Sequence, residues 1–345
     1  MFIDISGIGN SGKSTVVDLL REVDGLFVPE YWFEFDLIRV RGGLLDLRHC
    51  LLEDWSPVRS HAAYHEFADV VKKMGSDPTP WNLLGLFQST SQRYDRRFCG
   101  EFQKLSFEFL EQFKIASYRA EWPYDALREN SVVRFVRKVG RRLGFRKHLT
   151  HQVLLLDGKG FDAAVRAYLE QLYGLIVSEN CDSIILNNGI EPFNPGPGLD
   201  MLGGRQIVVT RDPRDIYVSG LNYYKATGQN SNLVASDNDG MNKSFLATDD
   251  LTVFVERYLL YSQKVFSGVR HDVMHVPFEK LITNSDTYVK KIFDFLEIDP
   301  LRHTRVKQFF DPARSAQNVA VWKKYSRQDE IRYIESKLGD YLVNE

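Results

Sequence analysis

The chain opens MFIDISGIGNSGKSTVVDLL, and no other stretch constrains the fold as tightly. A short apolar run leads into Gly7-x-x-x-x-Gly12-Lys13-Ser14, after which Val16, Val17, Leu19 and Leu20 recur at helical spacing. Strand, glycine-rich turn and helix in that order aim several backbone N–H groups at one point, and the positive end of the helix dipole adds to them. Such a nest holds phosphate. Lys13 is placed to reach the outer phosphates of a bound compound, and the Ser14 hydroxyl falls where a magnesium ion often lies.

Further apolar runs at 26–28, 153–157, 183–186, 207–210 and 273–276 read as buried parallel strands beside the opening one at 2–6, with helical patterns between most of them. This alternation predicts an α/β fold: a parallel sheet flanked by helices, with ligands gathered beyond the carboxyl ends of its strands. Between about 31 and 150 the pattern changes. Helical stretches such as FCGEFQKLSFEFLEQFKIASYRAEW dominate and strand signals vanish. Residues 1–345 therefore read as one α/β domain with a large helical insertion, 31–150, after the second strand. Its aromatic residues, Tyr31, Trp32, Phe33, Phe35, Trp55, Trp81 and Trp122 among them, are candidates to line an acceptor pocket, although aromatics at helical spacing are more often plain core.

With 43% hydrophobic and 13% aromatic residues the chain is globular, and a net charge of -2 gives it no global attraction to nucleic acid. Three widely spaced cysteines, Cys50, Cys99 and Cys181, fit buried thiols in a reducing compartment. No apolar run is long enough to span a membrane, and a strand starting at residue 2 leaves no room for a signal peptide, so a cytoplasmic protein is expected. SVVRFVRKVGRRLGFRKHLTHQ carries seven Lys or Arg between Arg134 and Lys147 and no acid. On a helix Val132, Val136, Val139 and Leu143 share one face while Arg134, Arg137, Lys138, Arg141 and Arg142 populate the rest. Residues 132–148 thus suit peripheral contact with an anionic membrane or acceptor, and equally a solvated face over a packed one. Gly140 and Gly144 weaken the helix by about 1 kcal/mol each.

The most informative later stretch is RQIVVTRDPRDIYVSGLNYYK, residues 205–225. A buried strand runs to Thr210 and Arg211. Asp212 then caps a helix whose first residue is Pro213. Arg211 sits at the strand's carboxyl end and Ser219 two turns into the helix, where guanidinium and hydroxyl can converge on one anion. Arg214 and Asp215 are expected to pair with each other or with the sheet edge.

Here the chain resembles the sulfotransferases that use 3′-phosphoadenosine 5′-phosphosulfate (PAPS). That family has a phosphate loop after its first strand and an Arg-x-Pro-Arg/Lys-Asp segment with a serine eight residues after the first arginine, as RDPRDIYVS has in Arg211 and Ser219. HVPFEKLITNSDTYVKKIFDFLEI and NVAVWKKYSRQDEIRYIESKLGDYL resemble its later strand-turn-helix and its C-terminal Trp-Lys segment. One departure stands out. Many members read Lys-Ser-Gly-Thr-Thr in the loop, whereas here Lys13 follows Gly12, as in nucleoside-triphosphate enzymes.

The resemblance implies PAPS as donor, 3′,5′-bisphosphoadenosine (PAP) as product and no required metal. Gly9, Asn10, Ser11, Gly12, Lys13, Ser14 and Thr15 would hold the 5′-phosphosulfate, and Arg211 and Ser219 the 3′-phosphate, joined by Arg314. Lys13 would meet the charge growing on the bridging oxygen. Glu30 is the first choice as base for the acceptor hydroxyl, in the place where glycan- and tyrosine-modifying members keep a glutamate, and Glu34 the second. Apart from the resemblance, Asn187, Asn188 and Glu191 in the turn-forming stretch after a strand are candidates to face the site, and turn chemistry alone accounts for them equally well. The implied acceptor is a carbohydrate or lipid-linked glycan. The rival reading is a magnesium-ATP kinase, in which Asp157 at the end of VLLLDGKG holds the metal.

Overall fold

The computed structural model describes residues 1–31, 33–76, 93–120, 131–144, 151–178, 180–227, 245–246 and 248–343. Its strands are β1 (Phe2–Gly7), β2 (Leu26–Phe27), β3 (Lys114–Ala120), β4 (His151–Leu156), β5 (Ser183–Asn187), β6 (Arg205–Thr210) and β7 (Val273–Pro277). Helices of nine or more residues are α1 (Lys13–Arg21), α2 (Pro57–Gly75), α3 (Phe102–Glu111), α4 (Ser131–Arg142), α5 (Phe161–Gly174), α6 (Pro213–Thr227), α7 (Leu251–Val265), α8 (Ser285–Leu296) and α9 (Gln328–Leu338). The chain divides into two compact units, one of Met1–Ile38 with Val177–Glu345 and the other of Arg39–Ile176.

The first unit holds a five-stranded sheet in the order β2-β5-β1-β6-β7, with every pair parallel. The alternation of side chains along a strand divides its core between two faces. Ile207 and Val209 of β6 pack with Ile3 and Ile5 of β1, Val16 and Leu20 of α1, and Ile292 of α8. Val208, pointing the other way, packs with Ile216 of α6, Phe254 of α7 and Ile331 of α9. Covered on both faces, the strands read as continuous apolar runs, which is why the sequence reveals them. Order reverses around β1, whose neighbours carry the chain to opposite sides, so the crevice above its carboxyl end is the expected ligand site of an open parallel sheet.

The second unit has its own core, in which Phe109 stacks on Tyr168 and meets Phe67, Phe113 and Phe161. Its sheet corrects the sequence reading twice. The run at 153–157 is no parallel core strand: as β4 it pairs antiparallel with β3. β3 itself lies in a stretch that reads as helical. An apolar run alone does not distinguish a strand buried on both faces from one covered on a single face. Here Val153, Leu154 and Leu156 are buried, and the Leu154 N–H donates to His61 Nδ1 of α2 at 3.1 Å, while the β3 residues are largely exposed. KIASYRA has no apolar alternation strong enough to announce a strand.

The cysteines also differ from expectation. All three are free thiols, but Cys99 is exposed and Cys50 and Cys181 are only half-buried. Of the insertion's aromatic residues Phe33 and Phe35 are buried core, Tyr31 is exposed, and Trp55 is exposed with its indole N–H on the Leu156 carbonyl. Trp32, Trp81 and Trp122 lie outside the described residues. Among the described residues no helix is long and apolar enough to cross a membrane.

Candidate active site

β1 is buried along its whole length and delivers the chain into the loop 8–12. Two residues there take left-handed backbone conformations, Asn10 (φ 64°) and Gly12 (φ 87°). Gly12 is the cap residue of α1, and a Cβ on it would lie 2.3 Å from the Phe278 ring, so glycine is required both by the dihedral and by space. Gly7 is held as closely: a Cβ there would sit 2.4 Å from Ser11 Oγ. The Ser11 hydroxyl is buried with no hydrogen-bond partner among the described residues. A loop whose inner hydroxyl is left unsatisfied beneath the start of a helix fits an oxyanion ligand. Lys13 begins α1, Thr15 is buried under it, and Ser14 is exposed.

The parallel register sets what stands beside this loop. Ile5 is level with Asn187 of β5 and with Ile207 of β6, so the residues following β5 and β6 flank the loop. Asn187 donates its side-chain amide to the carbonyls of Tyr31 and Phe33, at 3.0 and 3.3 Å. That tether draws in the segment after β2 and delivers Glu34. Glu34 Oε1 lies 3.3 Å from Lys13 Nζ and accepts a 2.8 Å bond from Asn188 Nδ2, while Asn188 Oδ1 accepts from the Gly7 N–H at 3.3 Å. Lysine and glutamate side chains are only 15% and 12% exposed, so the pair interacts far more strongly than it would in open water. Glu30, the first choice from sequence, is exposed four residues earlier, beside Arg21 and Arg305. The carboxylate brought to Lys13 is the second choice, Glu34.

Asn188 holds its place through a left-handed backbone (φ 52°) and through the anchoring of Gly189 and Ile190 beyond it. The fully buried Asp4 carboxylate accepts the N–H groups of Gly189 and Ile190, at 2.7 and 3.3 Å, together with bonds from Gln206 Nε2 and the Ser6 hydroxyl. Burial pushes its pKa up against the pull of these four donors. Sequence inspection misses Asp4 because it lies inside a strand, and only the fold brings Ser6, Gln206 and the Gly189 N–H to its carboxylate.

The later motif closes on the loop from the other side. Arg211 Nη1 donates to the Asn10 carbonyl at 2.8 Å, Nη2 donates to the Asn318 carbonyl, and the guanidinium carbon stands 5.0 Å from the centre of the Phe278 ring. Asp215 and Glu279 lie 3.9 and 4.0 Å away. Asp212 caps α6 by accepting the Arg214 N–H at 2.9 Å, as expected. Arg214 and Asp215 do not pair with each other. Arg214 forks onto Asp212 (2.9 and 2.7 Å), reaches Glu335 of α9 at 2.7 Å and stacks over Trp322, whereas Asp215 accepts the N–H groups of Ala320 and Trp322. Glu279 accepts the Asp212 N–H at 2.9 Å, and burial pushes its pKa up to about 7. These segments line a cavity of about 310 Å³.

Ser219 is half-buried on α6, and a Cβ on the adjoining Gly220 would lie 3.7 Å from the Asn10 amide nitrogen, so this turn of the helix faces the loop. Arg314 is exposed and its charge acts on Asp18 of α1 and on Tyr31. Glu191 is half-buried in the turn after β5. Asp157 stands after β4, in the antiparallel pair, and its carboxylate accepts the Lys159 N–H. In the parallel sheet the strands on either side of β1 run into Asn187-Asn188 and Thr210-Arg211-Asp212, and the Asp212 carboxylate is taken up by the Arg214 N–H and guanidinium.

Residues 204–333 match the family model of the sulfotransferase domain. No curated protein matches the chain. Among solved structures it is similar to the sulfotransferase domain of the olefin synthase from Synechococcus PCC 7002, at 14% identity and a TM-score of 0.41 over 99% of this chain and 94% of that one. It is also similar to the sulfotransferase domain from the curacin biosynthetic pathway, at 11% and 0.39 over 98% and 96%, and to the sulfotransferase STF9 from Mycobacterium avium, at 11% and 0.37 over 99% and 75%. The family match rests on residues 204–333, which include Arg211, Ser219, Glu279 and Trp322.

Proposed function

We propose that this enzyme, a transferase with a sulfotransferase domain over residues 204–333, moves the sulfuryl group of PAPS to a hydroxyl of a carbohydrate or lipid-linked glycan and releases PAP, in the cytoplasm. One observation carries the choice of catalytic groups: Lys13 and Glu34 face each other 3.3 Å apart beside the phosphate loop.

In the transfer the acceptor oxygen attacks sulfur in line with the bond to the 5′-phosphate. The acceptor O–H proton passes to a base, the new oxygen–sulfur bond forms, and the old bond breaks with its electron pair left on the phosphate. Positive groups aimed at that leaving oxygen supply most of the catalysis, as in phosphoryl transfer. Lys13 and the N–H groups at the start of α1 take this role. Glu34 takes the proton. Before the donor arrives its charge is balanced by Lys13; phosphosulfate competes for the ammonium and leaves a carboxylate oxygen for the acceptor hydroxyl. Asn188 keeps the carboxylate oriented throughout. Arg211 and Ser219 hold the 3′-phosphate, and Arg211 also ties the loop to the 316–318 turn. The resemblance to glycan-modifying sulfotransferases and the basic segment 134–147 support the glycan acceptor.

Calorimetric titration tests the donor: PAP without metal should bind tightly, and ATP or ADP with magnesium should bind much more weakly. Magnesium-dependent preference for ATP would replace this reading with a kinase.

A further inference from the structure

Helix α4 (Ser131–Arg142) belongs to the second unit, whereas Lys13, Glu34 and Arg211 belong to the first. At 100° per residue, Val132, Phe135, Val136, Val139 and Leu143 fall within an arc of about 100°. The Leu143 N–H donates to the Val139 carbonyl at 3.0 Å, which extends the helical course to the last of them. A surface helix ordinarily buries such a stripe. Here all five are exposed, Phe135 by 67% and Leu143 by 66%. A continuous apolar surface of this kind marks a site of interaction.

The rest of the helix decides the partner. Arg134, Lys138 and Arg142 are exposed away from the apolar arc, and no acidic residue occurs from Ser131 to Leu156. A second copy of the helix would cover the apolar face but would bring together two basic segments with no countercharge. A bilayer containing anionic lipid supplies both hydrocarbon for the apolar arc and negative charge for the basic side chains. Twelve residues make a helix about 18 Å long, too short and too charged to cross a bilayer and suited to lie in its interface. Lysine and arginine stems extend along the apolar boundary while their charged ends reach the headgroups.

We infer that α4 is a peripheral docking surface for anionic membrane. This holds whatever the donor is, and it places the second unit at a surface where acceptors carried on lipid are found.

Sedimentation of the full chain with vesicles tests it. The protein should pellet with phosphatidylcholine vesicles containing about a third phosphatidylglycerol at low salt, be released at high salt, and stay in solution with pure phosphatidylcholine. Phe135→Asp with Val139→Asp, and separately Arg134→Glu with Lys138→Glu, should each weaken binding at least tenfold at unchanged melting temperature. Every substituted side chain is exposed, so the fold should tolerate the changes. Absence of binding to the anionic vesicles would overturn the inference, as would equal binding to both kinds. Self-association abolished by Phe135→Asp with Val139→Asp, with no vesicle binding, would assign the face to a second copy.

Discussion

Glu30 and Glu34 are four residues apart, and two asparagines decide which of them stands beside Lys13. Asn187 ties down the carbonyls of Tyr31 and Phe33, so the next side chain, Glu34, is carried to Lys13; Asn188 then bonds its carboxylate. Glu34→Gln keeps the shape and an acceptor oxygen but removes the base. It should lower kcat by about a hundred- to ten-thousandfold with little change in donor KM. Glu30→Gln should stay within a few fold of the parent. Steady-state assays with PAPS and an accepted hydroxyl compound decide this, and the reverse ranking would return the base to Glu30.

Among elements, the notable feature is how the recognisable stretches lock together. β1 and α1 supply the loop, α6 begins at the Asp212 cap, the turn after β7 supplies Phe278 and Glu279, and the turns before α9 supply Asn318, Ala320 and Trp322. Arg211, Asp215 and Glu279 connect them through hydrogen bonds to backbone. The spacing of RDPRD therefore serves assembly. Arg211→Ala should weaken both adenosine 5′-monophosphate and PAP, because the loop loses its tie at Asn10. PAP should lose more, by about tenfold or greater, because a charge-assisted bond to its 3′-phosphate goes too. Equal losses in paired titrations would make Arg211 a structural tie only.

For the molecule as a whole, the buried acid at this junction has a consequence for stability. Glu279 is pushed from 4.5 up to about 7, chiefly by burial. Between those values the native state binds more protons than the unfolded chain, so stability falls as pH rises from about 4.5 to 7. A difference of this size corresponds to roughly 3 kcal/mol across the window. Glu279→Gln retains an oxygen for the Asp212 N–H and removes the titration. Its melting temperature should fall less steeply across that pH range and exceed the parent's at pH 8. Melts that track the parent at every pH would show that Glu279 titrates as an ordinary carboxyl.

What the sequence determined by itself is local. A run buried on both faces, a glycine needed for a left-handed turn and a proline after a cap each depend on a few neighbouring residues, and the P-loop sheet, Lys13, Arg211 and the start of α6 follow from these. The 153–157 run, the strand at 114–120 and the half-buried cysteines depend on what packs across from them, and local pattern misplaced all three. The tertiary structure alone brought Asn187 to the carbonyls of Tyr31 and Phe33 and Asn188 to Glu34, put Glu34 rather than Glu30 beside Lys13, and set Asp4 against the N–H groups that follow Asn188. Register between strands more than 180 residues apart in the chain decides those contacts, and no spacing along the sequence encodes it.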